Sequence, residues 1–207
     1  VAKLAALGDR CAPGVVTASA GNHGQALAYA AKARGVPCAV FMPEQAPVAK
    51  FEAARELGAS VHLVGSEVDE SLAAARDHAA AAGLEFVHPF DDPAVIAGQG
   101  TLGLELLADL PDLATVLMPV GGGGLASGVA IALKDLRPGI RVVGVQVEGY
   151  AAIAQSLAAG HAVVAPGAPT IADGIAVKQP GELTLKLIEK WVDEVMVVGE
   201  DEVAEAM

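Results

Sequence analysis

No cluster of lysine or arginine occurs in this chain of 207 residues, and no apolar run approaches the ~20 residues of a bilayer-spanning helix. The start also lacks the charged stretch and apolar core of a secretory leader. With 13 Lys and Arg against 25 Asp and Glu, the net charge is -12, so the basic face that nucleic acid or an anionic membrane requires is missing. The expected address is the cytoplasm. Cysteine is scarce: Cys11 and Cys38 lack CxxC spacing and read as buried or free thiols, with a disulfide as the alternative. His62, His78, His88 and His161 fall at no metal-ligand spacing, and no metal is expected. An initiating methionine is absent too. The chain starts at Val1 inside an expected helix, 1–7, and closes inside another that the acidic stretch 200–205 opens, so it reads as truncated at both ends.

What is present is apolar and regular. Hydrophobic residues make up 53% and charged ones 18%, the balance of a folded globular chain long enough for one large or two small domains. Strands are expected at 15–18, 38–42, 61–64 and 85–87, separated by helices at 25–33, 48–57 and 69–82. Gly35-Val36-Pro37 and Leu57-Gly58-Ala59 supply the helix stops. This β-α alternation implies a parallel sheet. His88 to Pro93, dense in turn formers, is the candidate domain crossing. Alternation then resumes: helices at 95–110, 125–136, 151–159 and 183–191, strands at 115–120, 142–147 and 194–198, and a loop at 165–169.

Two strand-to-helix turns stand out. Ser19-Ala20-Gly21-Asn22-His23-Gly24 follows the first strand, and Gly121-Gly122-Gly123-Gly124 followed by Leu125 comes after the strand at 115–120. A small-residue turn opening a helix presents N–H groups without intrahelical partners, and the helix dipole favours an anion there. Two such cradles suggest a ligand with two anionic ends. A run of four glycines costs chain entropy, so it requires either a close ligand or a tight turn packed against a neighbour. A dinucleotide reading competes, because Gly121, Gly123 and Ala126 fit G-x-G-x-x-A and Glu148 ends the next strand, but it leaves the first cradle unused. Ser19 invites a nucleophile reading, yet Thr17 stands where the G-x-S-x-G elbow needs glycine. Asn22 can donate to a ligand oxygen without titrating, or cap the helix.

These turns, with Asp91-Asp92-Pro93-Ala94-Val95-Ile96-Ala97-Gly98-Gln99-Gly100-Thr101 between them, closely resemble the serine/threonine dehydratases, fold-type II enzymes dependent on pyridoxal phosphate. The resemblance extends through Phe41 to Pro47, Thr170 to Gly174 and Val197 to Glu202. It implies two three-layer α/β/α domains, the smaller over 14–90 and an incomplete larger one from 1–13 and 91–207. Gly121, Gly122, Gly123, Gly124 and Leu125 would then hold the cofactor phosphate, and Asn22 would bond its 3-oxygen. Ser19, Ala20, Gly21, Asn22 and His23 would hold the substrate carboxylate. The implied reaction converts L-threonine or L-serine to a 2-oxo acid and ammonia, in a homo-oligomer of two or four copies.

The departures from the family pattern are informative. Its Schiff-base lysine would align about five residues before Val1, and Lys3 lacks the flanking motif. On this alignment the chain carries no catalytic lysine. Serine racemases, the near alternative, have a second serine where this chain has Ala20, and a metal site whose positions match Gln146 and Ala152, neither of which is charged. A non-catalytic piece that binds small anions is the reading from a different class.

Overall fold

A computed structural model describes all residues, 1–207, and divides into two compact units, Val1–Pro89 and Phe90–Met207. Residues 1–13, which the resemblance allots to the larger domain, are counted with the first unit.

The first unit opens with α1 (Ala2–Leu7), which buries Leu4 and Leu7, and a 3-10 turn through Cys11. β1 (Val15–Ala18), α2 (Asn22–Arg34), β2 (Cys38–Met42), α3 (Val48–Glu56), β3 (Ser60–Leu63), α4 (Val68–Ala82) and β4 (Glu85–Phe86) follow. The strands form one parallel sheet in the order β3-β2-β1-β4, with Val16 opposite Ala39 and Ala18 opposite Phe41. Both central strands are buried throughout, which explains why 15–18 and 38–42 are unbroken apolar runs rather than alternating ones. Val16, Ala18, Ala39 and Phe41 pack on Ala75 and Ala79 of α4. The strand's period of two sends Val40 to the other face, where it meets α2 at Gly24. Thr17, fully buried, donates its hydroxyl to Val87 O at 2.8 Å, so a polar residue inside β1 is satisfied by the chain just beyond β4.

α2 stops as its sequence suggests. Gly35 takes the left-handed conformation, φ +66°, and Val36 N–H returns to Ala31 O at 3.0 Å. Cys11 and Cys38 are both buried and free; the disulfide alternative is not formed.

The second unit comprises α5 (Pro93–Asp109), β5 (Thr115–Pro119), α6 (Gly124–Leu136), β6 (Arg141–Val147), α7 (Ala152–Ala159), α8 (Glu182–Trp191), β7 (Glu194–Val198) and α9 (Glu200–Ala206). Its sheet is also parallel, β5-β6-β7. Met118, Val142, Val129, Leu133, Ile153 and Ile188 form the centre of its core. α5 and α6 approach backbone to backbone. A Cβ on Gly100 would lie 3.0 Å from Gly128 O, one on Gly103 would lie 3.0 Å from the Ala132 methyl, and one on Gly128 would overlap Ile96 O. These glycines let α5 seat α6, and with it the turn that α6 closes.

Adjacent residues at the head of the unit do three separate jobs. Phe90 packs its ring on Gly122, Asp91 accepts the amides that open α8, and Asp92 caps α5 through Ala94 N at 2.9 Å and Val95 N at 3.1 Å, with Pro93 in the first helical position. β7 is registered by Asp193, whose N–H donates to Val142 O at 2.9 Å while its carboxylate accepts Val142 N–H at 2.7 Å and meets Lys134 Nζ at 2.7 Å. No helix is long and apolar enough to cross a membrane.

Candidate functional site

Ser19 to His23 belong to the first unit and Gly121 to Leu125 to the second. In the first loop the helix begins three residues earlier than the sequence suggests. Gly21 is the N-cap of α2 and Asn22 its first helical residue, so the Asn22 side chain does not cap the helix. The backbone N–H groups of Asn22, His23 and Gly24 occupy the first turn, where no intrahelical acceptor exists. Ser19 Oγ accepts Gly21 N–H at 3.1 Å, which tightens the bend and leaves the hydroxyl proton to donate elsewhere. The loop is anchored to the sheet by Ser19 N–H on Phe41 O at 2.9 Å. A Cβ on Gly24 would come 2.9 Å from Ser19 O, so the helix start closes against the strand end. Ser19, Ala20 and Gly21 are half-buried.

The second loop leaves β5 through Val120, whose N–H bonds Val145 O at 2.8 Å, and enters α6 at Gly124. Gly123 is the N-cap at φ +93°. The packing reading of the four glycines has a physical counterpart here. Packing on one side demands them: a Cβ on Gly122 would enter the Phe90 ring, one on Gly124 would lie 2.9 Å from Phe90 Cβ, and one on Gly121 would lie 3.1 Å from Ile175 Cα. The carbonyls are also taken, Gly122 O by the Thr184 hydroxyl at 2.7 Å and Gly123 O by Ser127 N–H at 2.9 Å. The N–H groups of Gly123, Gly124, Leu125 and Ala126 open the helix and have no intrahelical acceptor, which is the donor set a phosphate satisfies. Neither loop carries a charged carboxylate that would repel an anion.

Behind the loop, Gln146 is fully buried and completely bonded. Its Nε2 donates to Val120 O at 3.2 Å and Tyr150 O at 3.1 Å, and its Oε1 accepts Ala154 N–H at 2.9 Å. This neutral amide ties β5, β6 and α7 together just before the glycines. Glu148, the acid of the dinucleotide reading, lies exposed in the 3-10 turn after β6. No group of three or more His, Cys, Asp or Glu is placed to hold a metal ion.

Sequence reasoning missed Thr184, Phe90 and Asp91 as supports of the glycine loop. Thr184 lies 62 residues from the carbonyl it bonds and sits in no local motif, so nothing in periodicity flags it. The signal for Asp92 was present, since Asp followed by Pro reads as a cap and first helical residue.

Comparison with known proteins bears on the family and the fold. The chain is 52% identical over 194 residues to an L-threonine ammonia-lyase of Thermotoga maritima, covering 94% of this chain and 48% of that protein. The structure superposes on processed threonine deaminase isoform 2 of Solanum lycopersicum with a TM-score of 0.92 at 38% identity, covering 99% of this chain and 57% of the other. Maize serine racemase gives 0.93 at 37%, covering 100% and 63%. The chain thus spans about half the length of the curated relatives it matches. These likenesses carry the α/β fold-type II architecture. The family described as "Pyridoxal-phosphate dependent enzyme" matches residues 1–207, and the chain belongs to it.

Proposed function

We propose that the protein carrying this chain is a pyridoxal-phosphate dependent ammonia-lyase that converts L-threonine or L-serine to a 2-oxo acid and ammonia. The observation that carries this reading is the donor set at the head of α6, where unpaired amides follow a turn that packing has stripped of side chains. When bound, pyridoxal phosphate supplies the electron sink that acidifies the substrate α-carbon and lets the β-hydroxyl leave. The chain's own residues bind and orient. Amides of Gly121 to Leu125 hold the phosphate by charge-assisted hydrogen bonds. The Asn22 amide donates to the 3-oxygen, and the Ser19 hydroxyl with the amides of Ala20, Asn22 and His23 grips the substrate carboxylate, while Gly21 N–H stays on Ser19 Oγ and shapes the bend. Names of relatives support the substrate class: L-threonine ammonia-lyase and catabolic L-threonine dehydratase at 52% and 44% identity.

Racemisation is disfavoured by Ala20, whose methyl has no proton to deliver, and by Gln146, whose amide is spent on two carbonyls and one N–H. On the same reading the enzyme is a cytoplasmic homo-oligomer. The test is release of 2-oxo acid and ammonia from L-threonine and L-serine by the cofactor-loaded protein, beside Asn22→Ala and Gly123→Val. Asn22→Ala is expected to lose at least tenfold in kcat/KM, about 1.4 kcal/mol, through one lost hydrogen bond. Gly123→Val is expected to lose as much because its side chain, starting from a Cβ 2.8 Å from Ile188 Cδ1, displaces the loop amides. Equal turnover by parent and variants would overturn the assignment.

A further inference from the structure

We propose that Thr184 is the positioning residue of the glycine loop and that Asp91 sets it. The peptide unit is planar, so whatever fixes the Gly122 carbonyl also fixes the direction of the Gly123 N–H on the opposite side of that plane. The Thr184 hydroxyl does this, donating to Gly122 O at 2.7 Å from a fully buried position. Thr184 also accepts from the α6 side of the loop, where Ser127 Oγ reaches Thr184 O at 3.4 Å. It therefore touches the turn before the helix and the helix itself. Thr184 is in turn held by Asp91, whose Oδ1 accepts the amides of Thr184 and Leu183, both at 3.0 Å, while Oδ2 accepts Glu182 N–H at 3.1 Å. Phe90, one residue earlier, walls Gly122 and Gly124. One end of a short segment thus packs the loop, and its neighbour fixes the residue that aims a loop amide. Alternative loop conformers would have to break a buried hydrogen bond, which is costly when the carbonyl is left without water.

This inference rests on the reading of Gly121 to Leu125 as a phosphate cradle, and two readouts separate the two. Thr184→Val keeps shape and removes the donor; Thr184→Ser keeps the donor. Amide exchange of Gly123 is followed by NMR on the labelled chain, and pyridoxal phosphate affinity by fluorescence titration. The valine variant is expected to speed Gly123 exchange and raise Kd about tenfold, with serine restoring both. Asp91→Asn, which retains one acceptor oxygen, is the milder variant and is expected to raise Kd about threefold even if the valine chain fails to fold. Unchanged Gly123 exchange in Thr184→Val overturns the proposal whether or not the cofactor binds, and so does faster exchange with unchanged Kd. Faster exchange in Thr184→Val beside a parent protein that itself binds no pyridoxal phosphate overturns the cradle reading and reduces Thr184 to a backbone anchor.

Discussion

A methyl group at Gly123 would lie 2.8 Å from Ile188 Cδ1 and 3.0 Å from Thr184 Cβ, on a backbone already at φ +93°. Gly123→Ala therefore adds left-handed strain to overpacking, and a loss of about 2–4 kcal/mol is expected in thermal or denaturant unfolding. Gly139, where an added Cβ meets nothing within 4 Å, is the control, with Gly139→Ala expected to stay within about 0.5 kcal/mol. Cys38 makes a prediction of another kind. Burial pushes its thiol up to about 12 from 9.0, so the unfolded chain loses that proton first as the solution becomes alkaline. Stability from this group is whole below pH 9.0 and drains away as pH rises toward 12. Cys38→Ala should flatten the alkaline limb of a stability–pH curve measured by urea unfolding. In native buffer at pH 8 a thiol reagent should find neither cysteine, and in denaturant both.

Helix and strand placement was legible because both sheets are parallel and their strands are short apolar runs bounded by glycine and proline. Stops such as Gly35 act through their own φ, a property local enough to be read from one residue. Starts were harder. α2 begins at Asn22 rather than at 25 because Gly21 takes the cap, and a glycine cap leaves no side-chain signature. The glycine loop was visible as a motif, but what fixes its shape was not, since Phe90 and Thr184 reach it across long stretches of chain. At this scale the caps are the testable parts. Asp92→Ala is expected to cost about 1 kcal/mol through the two amides of α5 it leaves bare. Asp193 joins α6, β6 and β7, and its hydrogen bonds from Lys134 and the Val142 amide hold its carboxyl below the usual range. The stability it contributes is complete above the ordinary carboxylate pKa and is lost as pH falls through the lowered one. Asp193→Asn should therefore be less acid-sensitive than the parent when unfolding midpoints are compared across pH 2–5, an interval set by about the reference carboxylate values.

Across the molecule, solubility rests on charge. The net charge is -12 and the pI about 4.7, while the sheet of the second unit keeps Leu117 at 63% and Met196 at 44% exposure on the face opposite Met118 and Val142. Edge strands β5 and β7 flank that sheet with unpaired backbone. As pH falls toward 4.7 the mutual repulsion between copies fades, and light scattering should rise there and be suppressed by Leu117→Lys. The arrangement at the head of the second unit has a different bearing on how such a chain can vary. Phe90, Asp91 and Asp92 are consecutive, yet each anchors a different partner: the glycines, α8 and α5. A substitution there disturbs one partner at a time, whereas inserting or deleting even one residue between them would shift every later anchor off its target together, so the spacing of these three residues matters as much as their identity.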